Sequence, residues 1–461
     1  MSDFDGISSS TIARQMLRLL GVEPIMFYHK GKAHGISNEI VDEIVNSEIN
    51  LLIVPDAAVP KSRNTSAVLD KGIKILVVDH HVPDKADERT ILINPYLGNL
   101  NRSLSGAGVT FKFASYVCKQ MGIEAPYWLD LVATSIVSDC CALSQENRAF
   151  LYYGLHSIQN PMLRFLFDEL AHGADKVVPA DVGWSIAPKI NAMTRVDSEM
   201  NILLDGFCGG DVKEGLRVAK DAYNRQSELV KKALEEMTIN NDHKIVIGYI
   251  DNKYAPLTGL IAGKLQSEYS KPAFVVRETR DGYFTGSMRS PFEIANLLNG
   301  SHFCECRGHE SASGVSFYQY NFENLMEFID NSEIEDVKGT PVTAVLNIRR
   351  VSNKMCEELQ QYNDIFCNNC PIPTFYSKVR VLPKNIRIFK KATNTTKITI
   401  GGLEIMKFRT TKAELDMLEA NVSLQIEMIY TLGTNEFNGK VSNQAVVQKW
   451  EIKVDNDDFE F

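Results

Sequence analysis

Short runs of apolar residues alternate with stretches of helical period through roughly the first 200 residues. The runs at residues 49–55, 73–78 and 90–93 are compact and rich in Ile, Val and Leu, as in strands buried on both faces of a parallel sheet. Apolar positions with helical spacing lie between and after these runs, at residues 37–46, 109–121 and 127–137. This alternation predicts an α/β domain built on a parallel sheet.

The pattern changes twice further along the chain. One long amphipathic helix is predicted over residues 211–238, and a second α/β region follows, with a strand at 244–250, a helix at 257–269 and a strand at 273–276. Beyond about residue 340 the apolar runs are short and alternating, at residues 342–348, 377–381, 398–405, 422–430 and 446–454. Strands at this spacing predict a small C-terminal barrel or sandwich.

Composition narrows the class of protein. A chain of 461 residues with 44% apolar and 23% charged side chains is expected to form roughly two to four domains. Nine cysteines, no signal-like start and no apolar run near membrane length predict a soluble, cytoplasmic protein. The net charge of −9 argues against coating nucleic acid by bulk charge, but it leaves room for a local basic track and for a carboxylate-rich metal site.

Acidic and imidazole side chains follow the predicted strands and helices of the first region at four places. They are the Asp3-Phe4-Asp5-Gly6 segment, Asp56, the Asp79-His80-His81 segment, and Asp139. Parallel sheets form their sites at the carboxyl ends of strands, and this mixture of oxygen and nitrogen ligands suits Mn²⁺ or Mg²⁺, with room for two ions. Each residue alone is more often a turn, a cap or a helix-end carboxylate; the ordered set of four favours a site.

These motifs, in this order, resemble those of the DHH phosphoesterases and, within them, the RecJ-type single-strand-specific exonucleases. The resemblance extends over residues 1 to about 320, and the last third resembles the family's oligonucleotide-binding barrel by strand pattern and position. The further segments that carry the resemblance are residues 105–109, 138–148, 153–155, 187–195, 257–265, 286–290 and 307–314.

The resemblance implies a fold and a domain order. It implies a parallel-sheet DHH domain at residues 1–208, a connecting helix at 209–240, a smaller α/β DHH-associated domain at 241–335, and an all-β OB-like barrel at 340–455. The family's first strand precedes the D-x-D element, whereas here Met1 falls within that segment. We therefore expect the first strand to be missing, and Asp3 and Asp5 to lie on a nearly free N-terminus with no buried strand to position them.

The resemblance also implies roles for individual residues. Asp56 would bridge two metal ions, Asp79 would orient a neighbouring ligand, and His81 would contact the scissile phosphate or assist the leaving oxygen. The implied metal ligands are Asp3, Asp5, Asp56, His80 and Asp139. The implied phosphate-binding residues are Arg195, Ser287, Arg289, Gly308 and His309. For Arg195 and Arg289, a salt bridge between domains remains the alternative.

A basic stretch in the last third is a candidate for nucleic-acid binding. No acidic residue lies between Asp364 and Glu404, and Phe375, Tyr376 and Phe389 are interleaved with the basic residues. Cations that follow a backbone and rings that stack bases are typical of a single-strand groove, although a solvated face of a small β domain would look the same. The candidate residues are Lys378, Arg380, Lys384, Arg387, Lys390, Lys391 and Lys397.

The function implied is a metal-dependent exonuclease that uses two Mn²⁺ or Mg²⁺ ions to remove nucleotides from the 5′ end of single-stranded DNA. The strand would enter along the basic barrel. Expected partners are single-stranded DNA and single-strand-binding, replication or recombination proteins, with the chain itself a monomer. Two alternatives stay open: a DHH phosphodiesterase of oligoribonucleotides or cyclic dinucleotides, and a catalytically inactive single-strand-binding or replication scaffold.

Overall fold

The computed structural model describes residues 3–28, 35–83, 85–98, 101–171, 173–196, 198–333, 342–360, 372–390, 394–437 and 439–455. The chain forms two compact units, Met1–Val337 and Lys338–Phe461. The first unit contains an N-terminal parallel sheet, a long helix and a second sheet, and the second unit is built mainly from strands.

Three parallel strands form the N-terminal sheet, in the order β1 (Leu51–Pro55), β2 (Lys74–Val78) and β3 (Ile91–Ile93). They coincide with the three apolar runs predicted from the sequence, and the predicted parallel α/β arrangement is confirmed. The Asp56 N–H donates to the Val78 carbonyl at 2.9 Å, and the Asp79 N–H donates to the Ile93 carbonyl at 3.0 Å. Both aspartates therefore leave the same carboxyl edge of the sheet.

Helices surround both sheets of the first unit. Their bounds are α1 (Phe4–Leu19), α2 (Val41–Asn46), α3 (Arg63–Asp70), α4 (Gly106–Gln120), α5 (Leu129–Ser138), α6 (Asn147–His156), α7 (Pro161–Leu170), the π-helical turn Asp181–Ile186, α8 (Ala187–Met193), α9 (Met200–Phe207), α10 (Val212–Glu236), α11 (Thr258–Tyr269), α12 (Ala295–Gly300) and α13 (Phe322–Asn331).

Helix α10 is the predicted long helix, and its N-terminus is capped by its own sequence. The Asp211 carboxylate accepts from the Lys213 and Glu214 N–H groups at 2.9 and 3.2 Å, satisfying donors that the first helical turn leaves unpaired. Its apolar side packs on α8 and α9 at one end and approaches α11 at the other. The helix thus spans from the first α/β region to the second.

The second sheet of this unit has the order β4 (Thr238–Asn240), β5 (Val246–Tyr249), β6 (Ala273–Arg280), β7 (Tyr283–Arg289), β9 (Ala312–Tyr318) and β8 (Cys304–His309). Only β5 and β6 run parallel, joined through α11; the other neighbouring pairs are antiparallel. This is the second, smaller α/β region that the sequence predicts.

The C-terminal unit carries one seven-stranded sheet. Its order is β10 (Ala344–Val345), β11 (Thr374–Val381), β15 (Leu424–Phe437), β16 (Lys440–Val454), β14 (Leu403–Phe408), β13 (Asn394–Ile400) and β12 (Ile386–Lys390). Helices α14 (Asn353–Gln360) and α15 (Lys412–Leu418) accompany the sheet.

Two strand predictions in this unit were wrong in detail. The single run at residues 398–405 is divided between β13 and β14, because Gly401 and Gly402 turn the chain with φ angles of 58° and 89° that favour glycine. The run at 342–348 yields only the two-residue strand β10 before a short 3₁₀ segment. Among the helices that the structure describes, none combines the length and the apolar character needed to cross a membrane.

Close packing between α5 and α6 gives a prediction about stability. A Cβ at Gly154 would lie 2.2 Å from the Leu129 carbonyl oxygen and 2.5 Å from the Ala133 Cβ. Gly154→Ala should therefore lower the free energy of unfolding by about 2 kcal/mol or more, measured by thermal and urea unfolding. Gly263→Ala on α11 is the matched control: a Cβ there meets nothing within 4 Å, and it should stabilise by up to about 1 kcal/mol. Equal effects of the two substitutions would contradict this packing.

Candidate metal centre

Asp5 is held rigidly at the start of α1. Asp3 caps this helix, its carboxylate accepting from the Gly6 N–H at 3.2 Å, and Asp5 lies in the first turn with only 1% of its surface exposed. The two Asp5 oxygens accept from the Gly106 and Ala107 N–H groups, each at 2.7 Å, and Oδ1 also accepts from Ser135 Oγ at 2.5 Å.

The expectation of loosely held aspartates was therefore wrong for Asp5. The N–H groups that bind it belong to the first turn of α4, where donors lack intrahelical partners and the helix dipole favours an anion. A further contact anchors the start of α1, since the Phe4 N–H donates to Asn191 Oδ1 at 2.8 Å. The helix itself begins at Phe4.

Asp56 follows β1 in the left-handed region, with a φ of 52°, a conformation that Asp tolerates better than most residues. Its Oδ1 atom is buried and has no hydrogen-bond partner among the described residues. A Cβ at Gly106 would lie 2.4 Å from this oxygen, so only glycine allows the start of α4 to come so close. A buried carboxylate oxygen without a donor is what a cation ligand would look like before the cation binds.

His80 faces three carboxylates with one ring nitrogen. Its Nδ1 lies 2.9 Å from the Leu104 carbonyl oxygen, an arrangement in which Nδ1–H donates and Nε2 is directed into the cluster. Nε2 lies 3.4 Å from Asp56 Oδ1, 3.7 Å from Asp5 Oδ2 and 3.8 Å from Asp139 Oδ2. A backbone carbonyl behind the ring is a common way of fixing the tautomer of a metal-binding histidine.

Two groups of three side chains could each hold an ion, with ligand atoms within 4.8 Å of one another. One group is Asp56, His80 and His81, and the other is Asp5, His80 and Asp139. The groups share His80, so the geometry is compatible with two neighbouring cations. Asp139 enters from the C-terminal end of α5, where Cys141 Sγ donates to it at 3.3 Å.

The electrostatics of the cluster favour bound positive charge. Burial raises the pKa of Asp56 well above its usual range, and the Asp5 charge raises it further. Burial and Asp5 likewise raise the pKa of Asp139 to about 6. Burial lowers the pKa of His80, but contact with Asp56 and the charges of Asp5 and Asp139 outweigh it and raise this pKa to about 10. Without a metal ion, the raised pKa values mean that protons bound to these side chains supply part of the positive charge that the carboxylates attract.

Asp79 and His81 form a separate pair at the edge of the cluster. His81 Nδ1 lies 2.8 Å from Asp79 Oδ1, and Asp79 is 1% exposed, whereas half of the His81 side chain is exposed. The hydrogen bond raises the pKa of His81, and it lowers the pKa of Asp79 although burial acts in the opposite direction. Asn94 Nδ2 donates to the His81 carbonyl at 2.8 Å and fixes the backbone. The free edge of the His81 ring is thereby oriented outward.

Asp3 is placed less centrally than its sequence motif suggests. It belongs to neither group of three ligands among the described residues. Its charge nevertheless acts on Asp56 and Asp139, raising their pKa values, and on Arg195. Asp3 therefore lies at the margin of the cluster, on the side of Arg195.

Among the candidate phosphate-binding residues, Arg195 and Arg289 lie near enough for their charges to interact. Burial lowers the pKa of Arg195 and of Arg289, and the Arg289 charge acts on Arg195 in the same direction. A Cβ at Gly259 would lie 2.9 Å from Arg289 Nη2 and 3.5 Å from Ser287 Oγ, so α11 lies directly against both side chains. Ser287 Oγ lies 2.8 Å from Thr258 Oγ1.

The alternative of a salt bridge between domains is not observed for these arginines among the described residues, where both bind uncharged acceptors. Arg195 Nη1 instead donates to Gln226 Oε1 at 3.4 Å, and Arg289 Nη1 donates to the Met288 carbonyl at 2.7 Å. Gly308 lies in β8 with a φ of 130°, and the side chain of His309 lies outside the part that the structure describes.

Four of the seven candidate basic residues in the C-terminal unit form ion pairs, and all of these except Lys397 pair with carboxylates far away in sequence. Lys378 pairs with Glu427 at 3.1 Å on the neighbouring strand β15, because β11 and β15 are antiparallel neighbours. The other ion pairs are Arg380 with Asp455 at 2.5 Å, Lys390 with Glu419 at 2.6 Å, and Lys397 with Glu404.

The aromatic residues of this stretch divide between core and surface. Phe375 is 5% exposed within the hydrophobic core, so the expectation that it could stack on bases was wrong. Tyr376 donates its hydroxyl to Glu427 Oε2 at 2.8 Å, and Arg387 lies over the Phe389 ring at 4.9 Å. Lys384 is exposed, and Lys391 lies outside the described residues.

Sequence reasoning missed several residues that build the site. Ser135, Thr258 and the Leu104 carbonyl were not singled out, and Gly106 was noted only as part of the 105–109 segment. A glycine directly after a serine that caps a helix was the available signal. That Gly106 faces Asp56 depends on contacts between distant parts of the chain.

The close approach at Gly106 generates a prediction about metal binding. Gly106→Ala should displace the Asp56 carboxylate and weaken Mn²⁺ binding by about 10-fold or more, measured by titration calorimetry. Gly108→Ala is the control, since its Cβ would meet the Leu104 side chain at 3.2 Å and Ser105 Oγ at 3.5 Å, but not Asp56. Wild-type Mn²⁺ affinity in Gly106→Ala would show that Asp56 takes no part in binding the ion.

Comparison with known proteins agrees with this geometry. The family model for the DHH family, N-terminal domain, matches residues 1–136, and the model for the RecJ OB domain matches residues 342–449. A putative SPbeta prophage-derived single-strand DNA-specific exonuclease, YorK of Bacillus subtilis, is 26% identical over 98% of this chain and 86% of its own length. The single-stranded-DNA-specific exonuclease RecJ of Escherichia coli is 22% identical over the same shares.

Solved structures show the same fold. RecJ of Thermus thermophilus in complex with Mn²⁺ superposes with a TM-score of 0.75 at 19% identity, covering 98% of this chain and 68% of that one. A manganese-bound exonuclease RecJ gives a TM-score of 0.55 at 22% identity, over 71% of this chain and 87% of that one. From its ordered motifs, its two matching domains and this fold, we conclude that the chain contains a DHH-family N-terminal domain and a RecJ OB domain and is similar to the RecJ-type exonucleases along its length.

Proposed function

We propose that this protein is a metal-dependent exonuclease that degrades single-stranded DNA from the 5′ end. The observation that carries the proposal is the convergence of Asp5, Asp56, Asp139 and His80 around a buried carboxylate oxygen that lacks a hydrogen-bond donor. The relatives named as single-strand-specific exonucleases and the Mn²⁺ complex of the Thermus protein support the substrate and the cofactor.

The proposed ligands are Asp3, Asp5, Asp56, His80 and Asp139. Divalent ions held there, Mn²⁺ or Mg²⁺, would lower the pKa of a bound water and offset charge on the scissile phosphate. Asp5 contributes a carboxylate whose position is fixed by two N–H groups and a serine. Asp56 belongs to one group of ligands, and its Oδ1 lies 3.4 Å from Nε2 of His80, the residue that the two groups share; on this ground we propose Asp56 as the bridging carboxylate.

His81 is suited to handle a proton at the leaving oxygen. Its Nδ1 is engaged by Asp79 at 2.8 Å, so its Nε2 is the nitrogen available to a substrate. A carboxylate behind an imidazole stabilises the protonated ring, which can then donate a proton or contact a phosphate oxygen. Asp79 is thus a positioning residue that acts through His81.

We assign the phosphate-binding role to Arg195, Ser287, Arg289, Gly308 and His309. Two partly buried guanidinium groups near each other repel unless an anion lies between them, and Arg forks match paired phosphate oxygens. The Asp3 charge favours the charged form of Arg195, which supports a position of this arginine near the proposed metal ligands. A 5′ terminal phosphate is the anion that suits an exonuclease of the proposed polarity.

The C-terminal unit is proposed to bind the single strand through Lys378, Arg380, Lys384, Arg387, Lys390 and Lys391. Among them, Lys384 and Arg387 carry no ion pair to another described residue, so they are the strongest candidates for phosphate contacts. Lys378, Arg380 and Lys390 would have to exchange a carboxylate for a phosphate. We also propose single-strand-binding, replication or recombination proteins as partners, and a monomeric state for the chain. The division into four domains, with boundaries at residues 208, 240 and 335, is likewise a proposal.

End-labelled substrates test the activity directly. With Mn²⁺ and single-stranded DNA labelled at either end, the wild-type chain should degrade from the 5′ end. Asp139→Asn should lower the rate by about 100-fold or more, and Asp79→Ala by about 10- to 100-fold. Asp175→Asn is the matched control, since the Asp175 side chain is 89% exposed on the surface and pairs with Arg164.

Three outcomes would contradict the proposal in different ways. Binding of DNA without cleavage would favour the inactive scaffold. Cleavage restricted to oligoribonucleotides or cyclic dinucleotides would favour the other phosphodiesterases. Activity retained in Asp139→Asn would place the chemistry elsewhere in the chain.

The pKa values predict that metal binding releases protons. The pKa of His80 is about 10 without metal, and Nε2 must lose its proton to become a ligand, so Mn²⁺ binding at pH 8 should release about one proton. Because the pKa of Asp139 is about 6, the affinity for Mn²⁺ should fall further as pH drops below 6 and this carboxylate takes up a proton. Calorimetry in two buffers with different ionisation enthalpies measures the release, and His156→Gln, a change on α6, should leave it unaltered. Binding without proton release, or an affinity independent of pH, would contradict this account.

A further inference from the structure

A large aromatic side chain stands in solvent on the element that borders the metal centre. Trp184 is 81% exposed, although burying a ring of this size normally contributes strongly to stability. Trp128, in contrast, is only 1% exposed. Exposure alone does not indicate a ligand, since single apolar side chains are common on protein surfaces, so the surroundings of the Trp184 ring decide what it could bind.

The backbone around Trp184 has an unusual form and a defined position. It belongs to the π-helical turn Asp181–Ile186, a conformation that is rare and often found at functional sites. A Cβ at Gly183 would lie 3.9 Å from Val137 Cγ1, and Val137 is two residues before Asp139. The turn continues directly into α8, whose Asn191 accepts from the Phe4 N–H between Asp3 and Asp5. The turn thus lies near the C-terminal end of α5, which leads to Asp139, and α8 binds the start of α1, which carries Asp5.

Positive charge accompanies the ring. Lys189 Nζ donates to the Ser185 carbonyl at 2.8 Å, one residue from Trp184, and lies 5.1 Å from the centre of the Tyr223 ring. Lys220 on α10 is near enough for its charge to act on Lys189. An exposed indole, next in sequence to the carbonyl that binds Lys189, with Lys220 near Lys189, is suited to a flat, apolar ligand that carries negative charge, which describes a nucleotide of a single strand.

We propose that Trp184 is a stacking platform for a base of the single-stranded substrate, with Lys189 and Lys220 attracting the adjoining phosphates. The inference rests on the proposed nuclease function and adds a subsite to it. Every base has a π face, so this contact would hold the strand without selecting a sequence. A peptide of another protein could also cover a tryptophan, but the lysines and the neighbouring metal ligands favour nucleic acid.

Steady-state kinetics on two substrates test the subsite. With Mn²⁺, Trp184→Ala should raise the KM for a twelve-nucleotide oligodeoxythymidylate by about 10-fold and change kcat by less than about 3-fold. Hydrolysis of the p-nitrophenyl ester of thymidine 5′-phosphate, which has no neighbouring base to stack, should be unchanged. Trp184→Phe should restore most of the affinity, because a ring remains. Tyr320→Ala, at a tyrosine that is 75% exposed, is the matched control and should behave as wild type.

An unchanged KM for the oligonucleotide in Trp184→Ala would overturn the proposal. It would do so even if the variant lost the ability to bind a peptide of another protein, because Trp184 would then serve a different ligand. A binding experiment separates this failure from failure of the nuclease proposal. Titration with the same oligonucleotide should quench tryptophan emission in the wild-type chain and much less in Trp184→Phe. If neither substrate is cleaved but this difference is seen, the stacking platform stands and the nuclease function falls. Equal quenching in both chains overturns the platform whatever the activity.

Discussion

Three buried or half-buried carboxylates facing a single imidazole are the constraint on which the rest of the first unit depends. Asp5, Asp56 and Asp139 all approach His80 Nε2 within 3.4 to 3.8 Å. Carboxylates gathered around one nitrogen repel one another, and this repulsion destabilises the fold unless something opposes it. The chain opposes it with the N-terminal turn of α4 and with the raised pKa values of the cluster. These compensations are incomplete, because Asp56 Oδ1 is buried and forms no hydrogen bond with a described residue, its contact with His80 Nε2 being 3.4 Å long; a divalent cation would complete them.

The elements around the cluster bring these carboxylates together. The parallel sheet brings Asp56 and Asp79 to one edge, α1 and α4 meet end to end at Asp5, and α5 delivers Asp139 from the other side. Gly106 allows the helices to come this close, and Ser135 ties α5 to Asp5. The long helix α10 then connects this region to the sheet that carries Arg289, whose charge reaches Arg195.

Much of this could be predicted from local sequence, because strand ends and helix caps depend on neighbouring residues. The runs before Asp56 and Asp79 predicted buried strands, and the ends of parallel strands lie together by geometry. The hydrogen bonds that fix the Asp5 carboxylate could not be predicted, since its donors at Gly106 and Ala107 lie about a hundred residues away in sequence. The absence of acidic residues within the basic stretch was also misleading, because acidic residues from other parts of the chain pair with it. Glu427 pairs with Lys378, and Asp455 pairs with Arg380. Pairings between distant strands decide charge balance, and a sequence window does not contain them.

The central claim is that the cluster around His80 is a site for two divalent cations. Crystals of the protein grown with Mn²⁺, measured at a wavelength with strong manganese anomalous scattering, test it most directly. The account predicts two anomalous peaks a little under about 4 Å apart, with Asp56 in contact with both. A single peak elsewhere, or no peak between Asp5, Asp56, His80 and Asp139, would contradict it.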